Sequence, residues 1–202
     1  MIGDSHVFGK VYPNTTSEVL KKAHPETDFS YWGKNGICFY SLNSNPEYLD
    51  SLYSFSPDIV IIHLGTNGAY ASNFTRKAFR NEMETFFAAF RDSLPDCQVV
   101  FVTPFTNKRR KYKKKGRWLI NNRNRDAADE IIEFVGAHPN TFVVDNNAEV
   151  GMKVLQSRNL IRRDNVHLTP EGYVQLGTMV ANEILQIPEL WSREESQDKS
   201  DE

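Results

Sequence analysis

No run of apolar residues in this sequence approaches the roughly 20 needed to cross a bilayer, and no basic segment followed by an apolar one opens it. Insertion into a membrane is therefore not expected. Cysteine is scarce: the 2 present, Cys38 and Cys97, have no CxxC spacing to suggest a zinc site or redox pair. Both read as free, buried thiols. A strong charge of either sign is missing as well, since 24 Lys and Arg against 26 Asp and Glu leave a net charge of -2. Nothing drives the molecule as a whole toward nucleic acid. Internal repeats are absent, and 202 residues suit one domain, expected over residues 1–191. The closing SREESQDKSDE, residues 192–202, is polar and charged and reads as a disordered tail. Compartment and oligomeric state have no signature in the sequence.

What the chain does have is a polar turn at its start. In MIGDSHVFG two apolar residues run into Gly3, Asp4 and Ser5, and then reach Gly9. This reads as strand, loop, helix. In a parallel α/β sheet, ligands sit in the loops after the strands' carboxyl ends, so Ser5 is the candidate nucleophile. A hydroxyl is weak in that role until a base takes its proton and donors meet the oxyanion. Only Met1 and Ile2 precede Gly3, whereas a central strand has about five or six residues; further residues upstream are expected.

Further along, 17–24 reads as a short helix stopped by Pro25, and TDFSYWGKNG as a strand entering a loop where Gly33 and Gly36 offer backbone donors. A second helix is expected over 46–53. IVIIHLG is a continuous apolar run, as in a strand buried on both faces, and His63 within it reads as a hydrogen-bonded core histidine. Helix 76–94 turns Phe79, Met83, Phe86, Phe87 and Phe90 to one side. QVVFVTPF (98–105), helix 123–136 and NTFVVDN (140–146) complete the alternation. Strands alternating with helices imply a parallel sheet with helices on both faces. His24 and His138, each before a proline at a helix end, read as structural. The one dense basic run, KRRKYKKKGRW at 108–118, is a solvated loop on the usual behaviour of charge runs. Its other reading is a loop over the strand ends, with Tyr112 and Trp118 stacking on a sugar.

Two further stretches offer partners for Ser5. In RRDNVHLTPEGY, Thr169 as N-cap and Pro170 in the first turn open a helix, leaving Asp164 and His167 together in the preceding loop. A catalytic imidazole needs a carboxylate to hold its tautomer, and Asp-x-x-His can deliver both groups. In HLGTNG, Gly65 permits a sharp turn, and the Asn67 amide is a candidate oxyanion donor.

Taken together, GDS at the start, the Gly-rich loop, GTN and DxxH, in this order over nearly the whole chain, resemble the SGNH or GDSL-type hydrolase superfamily. The resemblance implies a flavodoxin-like three-layer α/β/α sandwich with a central, mostly five-stranded parallel sheet. It implies Ser5 as nucleophile, His167 as base and Asp164 as its orienter. The oxyanion donors would be the Ser5 N–H, the Gly36 N–H (rather than Gly33) and the Asn67 side chain. Cofactors and metal ions are not implied. Two residues depart from the pattern: His6 replaces the usual aliphatic residue after GDS, and Gly68 stands where an Asp is usual, removing a support for the Asn67 loop.

The expected reaction is serine-dependent hydrolysis of O-acyl esters, with O-acetyl esters on a carbohydrate favoured. Tyr31, Trp32, Asn35, Tyr70, Asn73, Tyr112 and Trp118, with His6, suit a sugar better than a long acyl chain. A lysophospholipase or thioesterase is the alternative within the same superfamily. From other classes come a metal-dependent phosphoesterase using Asp4 and His6, a D-x-H after a strand, and a non-catalytic glycan-binding module. A small-molecule or glycan ester is the expected partner, with no nucleic acid.

Overall fold

A computed structural model describes residues 1–105, 115–147, 155, 159–164 and 166–192, of which 115–122 as backbone. Five parallel strands form its sheet: β1 (Ile2–Gly3), β2 (Trp32–Gly33), β3 (Ile59–His63), β4 (Gln98–Val102) and β5 (Thr141–Val144). They pair in the order β2-β1-β3-β4-β5. Ile2 lies opposite Ile62, Ile62 opposite Phe101, and Phe101 opposite Val143. The order is the flavodoxin-like one, with its reversal between β1 and β3.

Side chains alternate across each strand, and here both faces are apolar. Val60, Ile62, Val99 and Phe101 enter one core, while Ile61, Val100 and Val102 enter the other. The first core is closed by α3 (Phe39–Ser44), α4 (Asp50–Phe55), α6 (Arg76–Ser93) and α7 (Lys115–Ala137). On α6 the stripe Phe79, Met83, Phe86, Phe87 and Phe90 is fully inward, as its spacing requires. α2 (Val11–Ala23) and α8 (Pro170–Leu185) close the second core through Tyr12, Leu20, Leu176, Val180 and Ile184. Two short helices, α1 (Ser5–Phe8) and α5 (Thr66–Tyr70), follow β1 and β3 directly. The three-layer architecture is the one the alternation of elements predicts.

Boundaries moved for local reasons. α2 begins six residues before the expected 17–24, because Pro13 falls in its first turn, where no backbone donor is needed. Thr15 and Thr16 turn their hydroxyls back onto the Val11 and Tyr12 carbonyls, so they fit the helix. The expected helix 46–53 is a 3₁₀ turn, Pro46–Leu49, leading into α4. Strand 98–105 stops at Val102, as Pro104 cannot donate to a ladder. α7 is longer than 123–136. His63 is buried as expected, yet among the described residues neither ring nitrogen has a hydrogen-bond partner, because its neighbours are the rings of His6, stacked on it, and Tyr12, perpendicular to it. Residues 108–114 of the basic run, with Tyr112, lie outside the described residues, as does 193–202; the expected loop ends earlier than 118, because 115–118, Trp118 included, already belong to α7, where only the backbone is described.

Candidate active site

The reversal in strand order brings the loops after β1 and β3 side by side at the carboxyl edge of the sheet, and both carry candidate residues. After β1, Asp4 is the N-cap of α1, its Oδ1 accepting from His6 N at 3.0 Å, and Ser5 opens the helix. A first-turn N–H has no partner within its own helix, so the Ser5 N–H is placed to donate outward. α1 lies hard against β2: a Cβ on Gly33 would be 2.6 Å from Phe8 N. Gly33 is thus needed for this approach and not as a donor. Gly36, held at φ +79°, a conformation side chains disfavour, is the loop glycine that reaches the cavity.

Asp164 and His167 arrive from the other side of the second core. Their loop is pinned at both ends: Ile161 bridges Leu168, Arg162 N donates to His167 O, and Thr169 N donates to Leu160 O. Within it, Asp164 Oδ1 accepts from the backbone N–H groups of Val166 and His167, each at 2.9 Å. Its Oδ2 lies 3.0 Å from His167 Nδ1, and His167 Nε2 lies 3.0 Å from Ser5 Oγ. Thr169 then caps α8, accepting from Gly172 N, with Pro170 in the first turn.

Ser5, Asn35, Gly36, Thr66, Asn67, Tyr70, Val166 and His167 line an open cavity of about 440 Å³. Asn67 Nδ2 donates to Asp4 Oδ2 at 2.9 Å and to the Ile37 carbonyl at 3.2 Å. The support missing at Gly68 is therefore supplied by Asp4 and Ile37. No side chain is accommodated freely at 68, where a Cβ would sit 3.1 Å from the Phe79 ring.

Electrostatics separates the two carboxyls. Burial alone would raise Asp164, but the Val166 and His167 N–H groups and the imidazole outweigh it and hold the carboxyl below its usual range. Asp4, 1 % exposed, is pushed up by burial, although the His6 and His167 rings and the His6 N–H pull it back. Burial likewise lowers His6, against the opposing charge of Asp4.

Several expected substrate contacts are elsewhere. His6 is 1 % exposed and behind the site: its Nδ1 lies 3.2 Å from the Tyr173 hydroxyl and its ring 5.7 Å from that of His167. It is not in the lining of the Ser5 cavity, because α1 turns it down onto the sheet end. Trp32 is half-buried, donating to Ser51 Oγ and lying edge-on to Phe55, outside the lining. Tyr31 packs on the second core, and Asn73 is exposed but not in the lining. Asn35 and Tyr70 do line the cavity. Thr66 and Val166, which sequence reasoning passed over, line it too; each is the direct neighbour of a candidate residue, and that adjacency was the available signal. For Asp4 and His6 as metal ligands the arrangement is unfavourable: the carboxylate accepts from His6 N and Asn67, and His6 Nδ1 faces Tyr173. Among the described residues no group of three or more His, Cys, Asp and Glu is arranged to hold a metal.

Comparison with known proteins places this geometry. Among solved structures, an alpha/beta hydrolase enzyme from the metagenome of Lake Arreo, Spain, superposes with a TM-score of 0.69 at 16% identity, covering 91% of this chain and 94% of that one. A carbohydrate esterase family 3 protein from Talaromyces cellulolyticus gives 0.68 at 17% identity, covering 94% and 97%. A lipase/acylhydrolase from Enterococcus faecalis gives 0.62 at 20% identity, covering 91% and 94%. At these identities the likeness speaks for the fold. No curated protein matches the sequence. The sequence profile of the GDSL-like Lipase/Acylhydrolase family matches residues 1–175, so the chain belongs to that family of ester hydrolases.

Proposed function

We propose that the protein hydrolyses O-acyl esters through Ser5, His167 and Asp164, and that its substrate is an O-acetyl ester on a carbohydrate. One observation carries the reading: the hydrogen-bonded series from Asp164 Oδ2 through the imidazole to Ser5 Oγ ends at an open cavity. With Nδ1–H donated to Asp164, His167 Nε2 is left as an acceptor for the Ser5 proton. As Oγ bonds to the ester carbon, that proton passes to Nε2. The carbonyl oxygen becomes an oxyanion met by the Ser5 and Gly36 N–H groups and Asn67. His167 then gives its proton to the leaving alcohol oxygen as the C–O bond breaks, and water repeats the sequence on the acyl-enzyme.

The lining supports a short acyl group beside a polar substrate. Asn35, Thr66 and Asn67 offer hydrogen bonds and Tyr70 a ring, while Val166 is the lone aliphatic side chain among the described lining residues, which suits a short acyl group better than a long one. Structural neighbours described as a carbohydrate esterase, an acetyl-xylooligosaccharide esterase and a peptidoglycan O-acetylesterase point the same way. Turnover of p-nitrophenyl acetate and its C8 and C12 analogues, alongside acetylated xylan, tests the substrate class. Acetate is expected to be preferred, with a fluorophosphonate probe labelling Ser5. Preference for the longer chains would discard the carbohydrate acetyl ester, and turnover retained in Ser5→Ala would discard the mechanism.

A further inference from the structure

An asparagine stabilises an oxyanion only with its amide nitrogen toward the cavity, and the amide group has nearly the same shape turned by 180°. Around Asn67 the choice is made by the Ile37 carbonyl, which can only accept, together with Asp4 Oδ2. Nδ2 is 2.9 Å from Asp4 Oδ2 and 3.2 Å from the Ile37 carbonyl, so a turned amide would set its oxygen against both. In the resting site, then, both amide hydrogens have acceptors.

The two bonds are not equal. The one to Asp4 is shorter and is made to a carboxylate that is 1 % exposed and already tied to the first turn of α1 by His6 N. The one to Ile37 is longer, is made to a neutral carbonyl, and belongs to the loop just after Gly36 at the cavity wall. Resting on the hydrolase mechanism above, we propose that Asp4 is a positioning residue: its carboxylate holds one Asn67 N–H permanently, so that the other passes from the Ile37 carbonyl to the oxyanion as charge develops. Exchanging a neutral acceptor for an anion gains free energy only in the transition state, so the arrangement serves rate more than substrate affinity.

Asp4→Asn tests this, because asparagine is nearly isosteric and caps a helix as well as aspartate does. It leaves α1 its cap while presenting an ambiguous amide to Asn67. On p-nitrophenyl acetate kcat is expected to fall roughly 10- to 100-fold, somewhat less than loss of an oxyanion donor itself. KM should stay near the wild-type value, and the thermal midpoint should not fall. In an Asn67→Ala background Asp4→Asn should have no further effect, as a residue acting only through Asn67 requires. Wild-type kcat in Asp4→Asn, or its full penalty persisting without Asn67, overturns the inference. Should Asp4→Asn fail to fold, Asp4→Ser keeps a capping hydroxyl and is read in the same way. In the unmutated protein one Asn67 Nδ2 proton should be protected from solvent exchange and the other not; equal exchange also overturns it. Ester turnover that survives Ser5→Ala overturns the mechanism and this inference together. Ser5-dependent turnover that Asp4→Asn leaves untouched overturns the inference alone.

Discussion

Two carboxylates stand on either side of the same serine, and their surroundings drive them apart. Asp164 has a side chain 47% exposed, accepts two backbone N–H groups and the His167 ring, and is held as an anion. Asp4 is 1 % exposed, accepts one backbone N–H and the Asn67 amide, and is pushed toward its neutral form by burial. The histidines divide in parallel: among the described residues His167 has a partner on each ring nitrogen, whereas buried His63 has a partner on neither. Exposure to solvent and backbone donors keep Asp164 charged. The layer beneath must carry its polar groups by direct pairing, or leave them unpaired at a cost.

The sharpest way to break this comparison is Asp164→Asn. In the proposed mechanism it leaves the Oδ1 bonds available but no longer selects the His167 tautomer, and kcat should fall by about 10³- to 10⁴-fold. Steady-state kinetics beside Asp4→Asn would show it; a smaller loss for Asp164→Asn than for Asp4→Asn would reverse the ranking of the two layers.

A smaller effect lies in acid stability. His6 and His63 are both depressed by burial, His63 strongly, so both stay neutral in the fold. Below about pH 6.5 the unfolded chain takes up protons that the native state does not, and stability falls as pH drops, by about 1.4 kcal/mol per pH unit for each imidazole kept neutral. Asp164 is lowered as well, but because its charged form is favoured: its contribution is present above the unfolded carboxyl value, about pH 4, and is lost as pH falls through its depressed folded value. Urea unfolding between about pH 7 and pH 5 therefore reads the imidazoles, opposed by Asp4, whose raised carboxyl takes up its proton in the fold before it does in the unfolded chain, and not Asp164. His63→Leu should shrink that slope and add about 1 kcal/mol at neutral pH, since a buried polar group unpaired among the described residues is removed. An unchanged slope would mean that His63 is not held neutral.

The smallest effect is expected from Gly68→Ala. Its Cβ would meet the Phe79 ring at 3.1 Å and 3.2 Å, and crowding of this kind costs about 1 kcal/mol or slightly more. Thermal unfolding should register it while kcat stays near wild type, because Asn67 is held from the Asp4 side. A large fall in kcat would place the support of Asn67 at 68 instead.

The sequence was informative where one residue type in one pattern has a single physical meaning. IVIIHLG and QVVFVTPF announced strands buried on both faces, the Phe stripe announced an inward helix side, and Thr169-Pro170 announced a capped start. Short range also made Asp164 and His167 legible, since three residues of one loop determine their meeting. Element ends were less legible because Pro13 and the threonines of α2 are compatible with both turn and helix.

By itself, then, the sequence determined the alternation of strands and helices, the parallel sheet, and the set of candidate residues on its loops. Only the tertiary structure decided which of them meet. Asn67 is tied to Asp4 across 63 positions by the strand order that sets the loops after β1 and β3 side by side, and Ser5 is joined to His167 across 162 by the loop that precedes α8. The same packing sent His6 inward and made Asp4 a buried anchor. Burial is a property of the layers that close over a side chain, and the adjacent polar residues Asp4, buried, and Ser5, half-buried at the cavity, therefore end in different environments.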